Sequence, residues 1–417
     1  MPLTAPALPI RPRAPVWRAR VVPVAVVLGA RTLLVAFALL LNARQDSGDI
    51  PFYYALAAEA LKGRLPYMHF WVEYPPVFPW LVVGLLRLAQ ALWPANPQPL
   101  FAALLLGVNL LASYANLILV YLLLGRLYGP AQAFKSGLIY AVLLPPVRFA
   151  LQGMIEPLAD TFLLGGLALL LLRRADASGL LAAAGVLTKV YPGVLLPAAL
   201  ALLPAEGRTR WVKSFALAIG AVLLLLMLVS PRALVSSLEV SARRPPWESV
   251  WALVEGCCAY GKLPAPAERG VTLAGLPESA AHLPWLVIGL GFAAAFVLVA
   301  RARWRPVDER AAVLLTLFSV GLLLLWSKGF SPQFVQWILP LVLIAFPVRA
   351  GPLLAVGYTG LVFLQYAPPA GAPDLVAPVY TFIVVSRTAL SLIATLLAAL
   401  AWIDWPRVHP GARIGST

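Results

Sequence analysis

Three carboxylates of this chain stand at the mouths of apolar segments, where an ionisable side chain is costly and marks a candidate functional site. Asp49 opens the stretch Gly48-Asp49-Ile50-Pro51-Phe52-Tyr53-Tyr54 just beyond the first apolar run, and Glu73 follows in Trp71-Val72-Glu73-Tyr74-Pro75-Pro76. Glu156 precedes Pro157 at the start of a later run. A carboxylate among aromatic side chains can take a proton from a hydroxyl, so the three form a candidate acid–base set. Two readings of Asp49 stand side by side. It has a catalytic role, or it is an N-cap whose oxygens satisfy the first free N–H groups of a short helix. Asp46 competes with it in the same loop, Glu73 has a solvated loop carboxylate as its alternative, and His69 reads as an interfacial side chain.

Glu156 and Asp160 are spaced i, i+4, which puts them on one helix face if both are helical. They would hold a cation or a pair of hydroxyls there, or simply complement the helix N-terminus as anions. Positive charge comes from Lys189 in Lys-Val-Tyr-Pro, from Arg243-Arg244-Pro245-Pro246-Trp247-Glu248-Ser249, and from Lys328 in Ser-Lys-Gly-Phe-Ser-Pro-Gln. Such donors suit a phosphate leaving group, because they neutralise the charge it gains. The plainer reading is contact with anionic lipid headgroups or snorkelling.

The elements that must position these residues are apolar helices. With 61% hydrophobic and 12% charged residues and a mean hydropathy of +0.86, the chain is a polytopic membrane protein of the all-α class. Its 32 Lys and Arg against 17 Asp and Glu give +15, but the basic residues fall between apolar runs. That is positive-inside patterning and not a nucleic-acid surface. Candidate spans lie near 21–41, 77–93, 100–124, 134–150, 157–172, 178–204, 211–230, 283–302, 311–327, 332–347, 352–367 and 380–403. The first span reads as uncleaved, after a basic tail over 1–20 with Arg11, Arg13, Arg18 and Arg20. A second tail follows over 404–417.

Charge then fixes the sides. The N-terminal tail, Arg173-Arg174, Arg208/Arg210/Lys213, Arg301 to Arg310 and Arg407/Arg413 belong on the cytoplasmic side, with Arg126 and Lys135 a weaker set. The Asp49 loop is outside and Arg126 inside, so one of the two runs between them does not cross. The run 77–93 carries Arg87 and Gln90 and is bounded by prolines, so it is assigned to the outer interface. Arg174 and Arg208 are both inside although one long run joins them, so 178–204 must go up and return. Lys189 and Pro192 mark the break. The expected bundle has about twelve membrane helices with both termini cytoplasmic. The outer face receives the first loop over 42–99, the long loop over 231–282 and the Lys189 tip.

No phosphate-binding Gly-rich loop, nucleophile elbow or zinc-type His-Glu-x-x-His spacing occurs. Cys257 and Cys258 are adjacent and say little about redox compartment.

The order of these motifs resembles the GT-C superfamily of integral-membrane glycosyltransferases, and within it the bacterial polyprenyl-phosphate-mannose-dependent α-mannosyltransferase family. The carriers are Gly48-Asp49 with Tyr53-Tyr54, Gly63, Pro66-Tyr67, Glu73-Tyr74-Pro75-Pro76, Gln152-Gly153 with Glu156-Pro157, and Lys189-Val190-Tyr191-Pro192. Arg244-Pro245 with Glu248-Ser249 and Ser331-Pro332-Gln333-Phe334 with Trp337 complete them. The resemblance implies a GT-C-like bundle with outer-face juxtamembrane helices, and transfer of a sugar from a polyprenyl-phosphate donor to a lipid or glycan acceptor. Asp49 is then the general base, with Glu73 and Glu156 as further catalytic candidates. Tyr53, Tyr54, Tyr67, Gln152, Lys189, Tyr191, Arg243, Arg244, Glu248, Lys328 and Gln333 are the expected substrate contacts. Glu156 stands where metal-dependent relatives carry a close acidic pair, which puts a bound metal in question: no cofactor is firmly expected, and a divalent cation stays open as an alternative. The implied location is a bacterial plasma membrane with the site facing outside. An arabinofuranosyl or glucosyl donor, a transporter, and a non-catalytic assembly subunit are the rival readings.

Overall fold

The computed structural model describes residues 16–42, 48–255, 263–276, 283–301, 307–366 and 376–408. Asp46, Cys257, Cys258, Arg11, Arg13, Arg303, Arg305 and Arg413 lie outside them. Among the described residues every regular element is helical, as the composition predicts.

The first half of the chain runs α1 (Val16–Asn42), α2 (Ile50–Leu61), α3 (Val77–Leu92), α4 (Pro97–Tyr128), α5 (Pro130–Val142), α6 (Leu144–Leu151), α7 (Glu156–Leu171), α8 (Ala175–Thr188) and α9 (Leu195–Leu202). Then follow α10 (Ala205–Val229), α11 (Pro231–Arg243), α12 (Val250–Val254), α13 (Trp285–Arg301), α14 (Glu309–Trp326), α15 (Val335–Ala345), α16 (Ala350–Tyr366) and α17 (Val376–Val408). Five of these helices are long and apolar enough to cross a membrane, and α5 with α6 make a sixth if the bent pair is one span. α7, α8, α13 and α16 have 16, 14, 17 and 17 residues, short of the ~20 that cross a bilayer unaided.

Two spans are broken, and each break has a local cause. The run expected as one helix over 134–150 bends by 44° between α5 and α6, at Leu143, which is extended just before Pro145-Pro146. Regular helical pairing stops there: the Tyr140 carbonyl accepts from the Leu143 N–H at 3.4 Å and from Arg31 of α1 at 2.5 Å. Ser113 of α4 donates to the Pro146 carbonyl at 3.3 Å. The second break falls where the sequence places it. α8 ends at Thr188, Lys189 is extended, and a short 3-10 turn at Tyr191–Val194 leads into α9. Gly185 makes room for Pro192, since a Cβ there would come within 2.6 Å of the proline ring.

The bundle has two chemically different ends. At one end arginines close the C-terminal carbonyls of neighbouring helices, groups that have no partner inside their own helix. Arg126 donates to Leu171 at 3.2 Å, Arg310 to Leu127 at 2.6 Å and Arg208 to Leu203 at 2.8 Å. Arg126 also pairs with Glu309 at 2.5 Å. Arg126, Arg208 and Arg310, three of the residues assigned to one side by charge, therefore gather at one end of the fold.

At the other end α2 and α3 pack on the first turns of α4 through Tyr53, Leu56, Ala57, Phe78, Val82, Leu86, Phe101 and Leu105. α3 begins beside Glu73 and finishes shortly before α4 starts, so both its ends lie at this end of the bundle. Its buried residues Phe78, Val82, Leu86 and Ala89 line one face, while Arg87 and Gln90 are exposed. That is the pattern of a helix lying along a surface.

Candidate active site

Two positive-φ glycines bring the first loop against the turn between α6 and α7. Gly48 has φ +57 and Gly153 has φ +75. A Cβ on Gly48 would sit 2.3 Å from the Gln152 carbonyl oxygen, and one on Gly153 would sit 2.6 Å from Ile50. The Asp49 N–H donates to that Gln152 carbonyl at 3.3 Å. Asp49 is thereby fixed within electrostatic reach of Glu156, Lys189 and Glu73.

Asp49 occupies the N-cap position of α2, yet its carboxylate makes no capping bond. The Tyr53 hydroxyl donates to its Oδ2 at 3.2 Å and lies 3.3 Å from the Tyr74 hydroxyl. Of the two sequence readings, the capping one fails. Burial pushes the carboxyl up to about 6; the Glu156 charge adds to the rise, and the Tyr53 bond and the Lys189 charge oppose it. Tyr53 and Tyr74 are pushed well above the ordinary phenol range by burial, so both remain hydrogen-bond donors.

Glu156, 1% exposed, opens α7 and forms an ion pair with Lys189 across the α8 break. The Lys189 ammonium also lies over the Phe334 ring at 4.4 Å and the Trp337 ring at 5.4 Å. One turn further along α7, Asp160 accepts from the Tyr191 hydroxyl. The Tyr191 ring is stacked on Trp337 at 4.2 Å. Gln333 is half-buried in the adjoining turn at Pro332–Phe334.

Glu73 has a partner that the sequence reading missed. Arg269 is 1% exposed, bonds both Glu73 oxygens at 2.5 and 3.3 Å, and donates to the Pro264 carbonyl at 2.8 Å. It lies over the rings of Trp71 and Phe52. Arg64 holds the same segment through the carbonyls of Ala267 and Arg269, at 2.9 and 2.5 Å. The available signal was a single arginine in the proline-bearing stretch Pro264-Ala-Pro-Ala-Glu-Arg-Gly270, together with the need of a half-buried Glu73 for a counter-charge. Of the two expected tyrosines, Tyr67 lies near Glu73 and Tyr54 packs against α4. Tyr67 is 2% exposed and gives its hydroxyl to the Tyr74 carbonyl, and Tyr54 meets Phe101 edge-on.

The expected cationic set divides. Arg244 stacks on Trp247 at 3.8 Å and feels the charges of Glu73 and Glu248. Its Nε is buried with no hydrogen-bond partner, and burial lowers its pKa. Lys328, its pKa lowered by burial, donates to the Ala242 and Arg244 carbonyls at 2.6 and 3.4 Å, so it braces the loop behind Arg244. Arg243 points outward and pairs with Glu239 at 2.9 Å. Glu248 has φ +48 and is held by Gln365 and Arg387, at 3.3 and 2.7 Å. Gln152 is 6% exposed, and its side-chain oxygen has no partner. Among the described residues no group of three or more His, Cys, Asp or Glu has the arrangement of a metal site.

No protein-family model matches the chain, and no curated protein matches it. Among solved structures it is similar to ArnT from Cupriavidus metallidurans bound to undecaprenyl phosphate, with 15% sequence identity and a TM-score of 0.45, over 95% of this chain and 79% of that one.

Proposed function

We propose that this protein is a GT-C-type glycosyltransferase that moves a sugar, mannose in our reading, from a polyprenyl-phosphate donor to a hydroxyl of a lipid or glycan acceptor. One observation carries the reading. Asp49 is a half-buried carboxyl that makes no helix-capping bond, has its pKa raised to about 6, and is set between a Lys189–Glu156 pair and a Glu73–Arg269 pair.

Asp49 takes the proton of the acceptor hydroxyl, that oxygen bonds to the anomeric carbon from the face opposite the phosphate, and the carbon–oxygen bond to the lipid phosphate breaks with the electron pair staying on the phosphate. Lys189 and Arg244 offset the charge that the phosphate gains. Arg244 suits the task because its guanidinium holds no carboxylate among the described residues. Glu156 fixes Lys189, and Glu73 fixes Arg269. Gln152, Gln333 and Glu248 remain as hydroxyl contacts, with Tyr53 orienting Asp49.

In this reading the site end faces the outside of a bacterial plasma membrane and both termini are cytoplasmic. A transporter places its polar groups near the midplane and opens them to both sides; the collection of Asp49, Glu73, Arg244 and Arg269 at one end of the bundle favours the enzyme.

The test is transfer of radiolabelled sugar from polyprenyl-phosphate-mannose to membrane acceptors, wild type against Asp49→Asn at equal protein level. Transfer by the wild type and its loss in the variant support the reading. Equal transfer by both removes Asp49 as the base. Transfer only from an arabinofuranosyl or glucosyl lipid keeps the class and changes the sugar.

A further inference from the structure

Asp160 has no part in the chemistry above, and it is the more deeply placed of the two acids on this face of α7. It is 1% exposed, one of its oxygens is buried without a partner, and the other accepts from the Tyr191 hydroxyl. A carboxyl in that setting is expensive compared with an apolar side chain of the same volume, so its presence needs a reason. The reason lies in what it meets.

Lys189 and Tyr191 are the two polar side chains of the α8 break, and the two acids of α7 take one each. Glu156 takes Lys189, and Asp160 takes Tyr191. Along α7 the acids are separated by about 6 Å, four residues at 1.5 Å rise. A break in a helix leaves the following segment free to swing about the residue where regular pairing stops. One anchor leaves that rotation open, whereas two anchors spaced along a rigid helix remove it. The Tyr191 ring, stacked on Trp337 at 4.2 Å, closes the third side. Lys189 then has one place to put its ammonium: between Glu156 and the Phe334 ring.

We propose that Asp160 is a positioning residue: by holding the Tyr191 hydroxyl it fixes the α8 break so that Lys189 stays on Glu156 and within reach of Asp49. Its consequence for catalysis rests on the glycosyl-transfer reading; its effect on Lys189 does not. Asn at position 160 retains an acceptor oxygen for the Tyr191 hydroxyl, and Ala does not.

The experiment therefore has two readouts on the full-length protein in detergent micelles. The first is modification of Lys189 by a small amine-reactive acylating reagent, followed by mass spectrometry. The second is transfer from polyprenyl-phosphate-mannose. Asp160→Ala and Tyr191→Phe should raise Lys189 labelling several-fold and cut transfer about tenfold or more, with Asp160→Asn close to wild type in both. Tyr191→Phe retains the ring that packs on Trp337, so it tests the hydroxyl alone in a folded protein. Unchanged labelling of Lys189 in Tyr191→Phe would overturn the proposal. Labelling that responds as expected in a protein that transfers no sugar upholds the pin and sinks the glycosyl-transfer reading instead.

Discussion

The backbone N–H of Asp49 donates to the carbonyl of Gln152 at 3.3 Å, joining the first loop to the turn that opens α7. This bond exists because neither Gly48 nor Gly153 carries a side chain. Gly48→Ala should lower transfer at least tenfold, because its Cβ would meet the Gln152 carbonyl at 2.3 Å and move Asp49 away from Glu156. Gly63→Ala is the control: φ is positive there too, at +86, with nothing within 4 Å of the new Cβ. It should cost only the strain of a left-handed backbone, ~1–2 kcal/mol. Thermal unfolding and transfer of the two variants, measured side by side, separate the effects.

In the proposed mechanism the rise of the Asp49 carboxyl to about 6 sets the acid limb of activity. The base works ionised, so transfer should climb through pH 6 and level above 7, and Asp49→Asn should lose roughly 10²–10⁴-fold. The stability sign runs the other way. A carboxyl whose folded value exceeds its unfolded one favours the fold at low pH, and loses that contribution as pH rises from about 4 through 6. Asp49→Asn should therefore unfold at a higher temperature than wild type at pH 7.5, with the gap closing at pH 4.5.

Arg244 and Lys328 should separate by kinetics. Arg244 holds no carboxylate among the described residues, so Arg244→Ala should raise the donor KM about tenfold or more with a smaller change in kcat. Lys328 is spent on two carbonyls, so Lys328→Ala should lower the unfolding temperature and alter KM only slightly. The reverse pattern would exchange their roles.

Glu73 and Arg269 are worth testing as a pair. Arg269→Gln strands a carboxylate among aromatic rings, a loss of about 3–5 kcal/mol by analogy with broken buried pairs. Glu73→Gln strands the guanidinium. Combining the two should recover much of that loss, giving a large coupling energy in a double-mutant cycle of thermal unfolding.

Sidedness is open to a labelling experiment. In a background with Cys257 and Cys258 replaced by serine, an impermeant thiol reagent applied from outside should reach His69→Cys and Pro245→Cys but not Arg174→Cys. Labelling at 174 with silence at 69 would invert the assignment of the two ends and remove the extracellular site.

The helical class and the break at Lys189 were legible, because each rests on local chemistry: apolar length, and a proline close to a lysine inside an apolar run. The bend at Leu143 was not, although Pro145-Pro146 stands in plain view. An unbroken apolar run hides a bend whose Tyr140 carbonyl also accepts from Arg31, more than a hundred residues earlier. Asp49, Glu156 and Lys189 were found as separate motifs, and the structure brings them together. Arg269 escaped because its partner Glu73 lies 196 residues away and no periodicity links an ion pair across two loops. Arg243 and Arg244 are neighbours in sequence, yet only one faces Glu73; the turn of α11 decides which.

The length of α4 has a bearing on where the reaction takes place. Its 32 residues amount to ~48 Å of helix, well beyond the ~30 Å depth of the hydrocarbon. From Leu105, which packs under α2 and α3, to Arg126, which pairs with Glu309, the helix measures ~31 Å, close to that depth. The excess is thus a pier on the Asp49 side, so that in the proposed orientation Asp49 stands near the membrane surface. On the proposed function a hydrophilic acceptor reaches it without entering the oil, while the donor's sugar and phosphate rise to meet it on a tail that stays submerged. In that reading only the first few isoprene units of the tail come near the reacting groups, so shortening the far end should leave the rate almost unchanged.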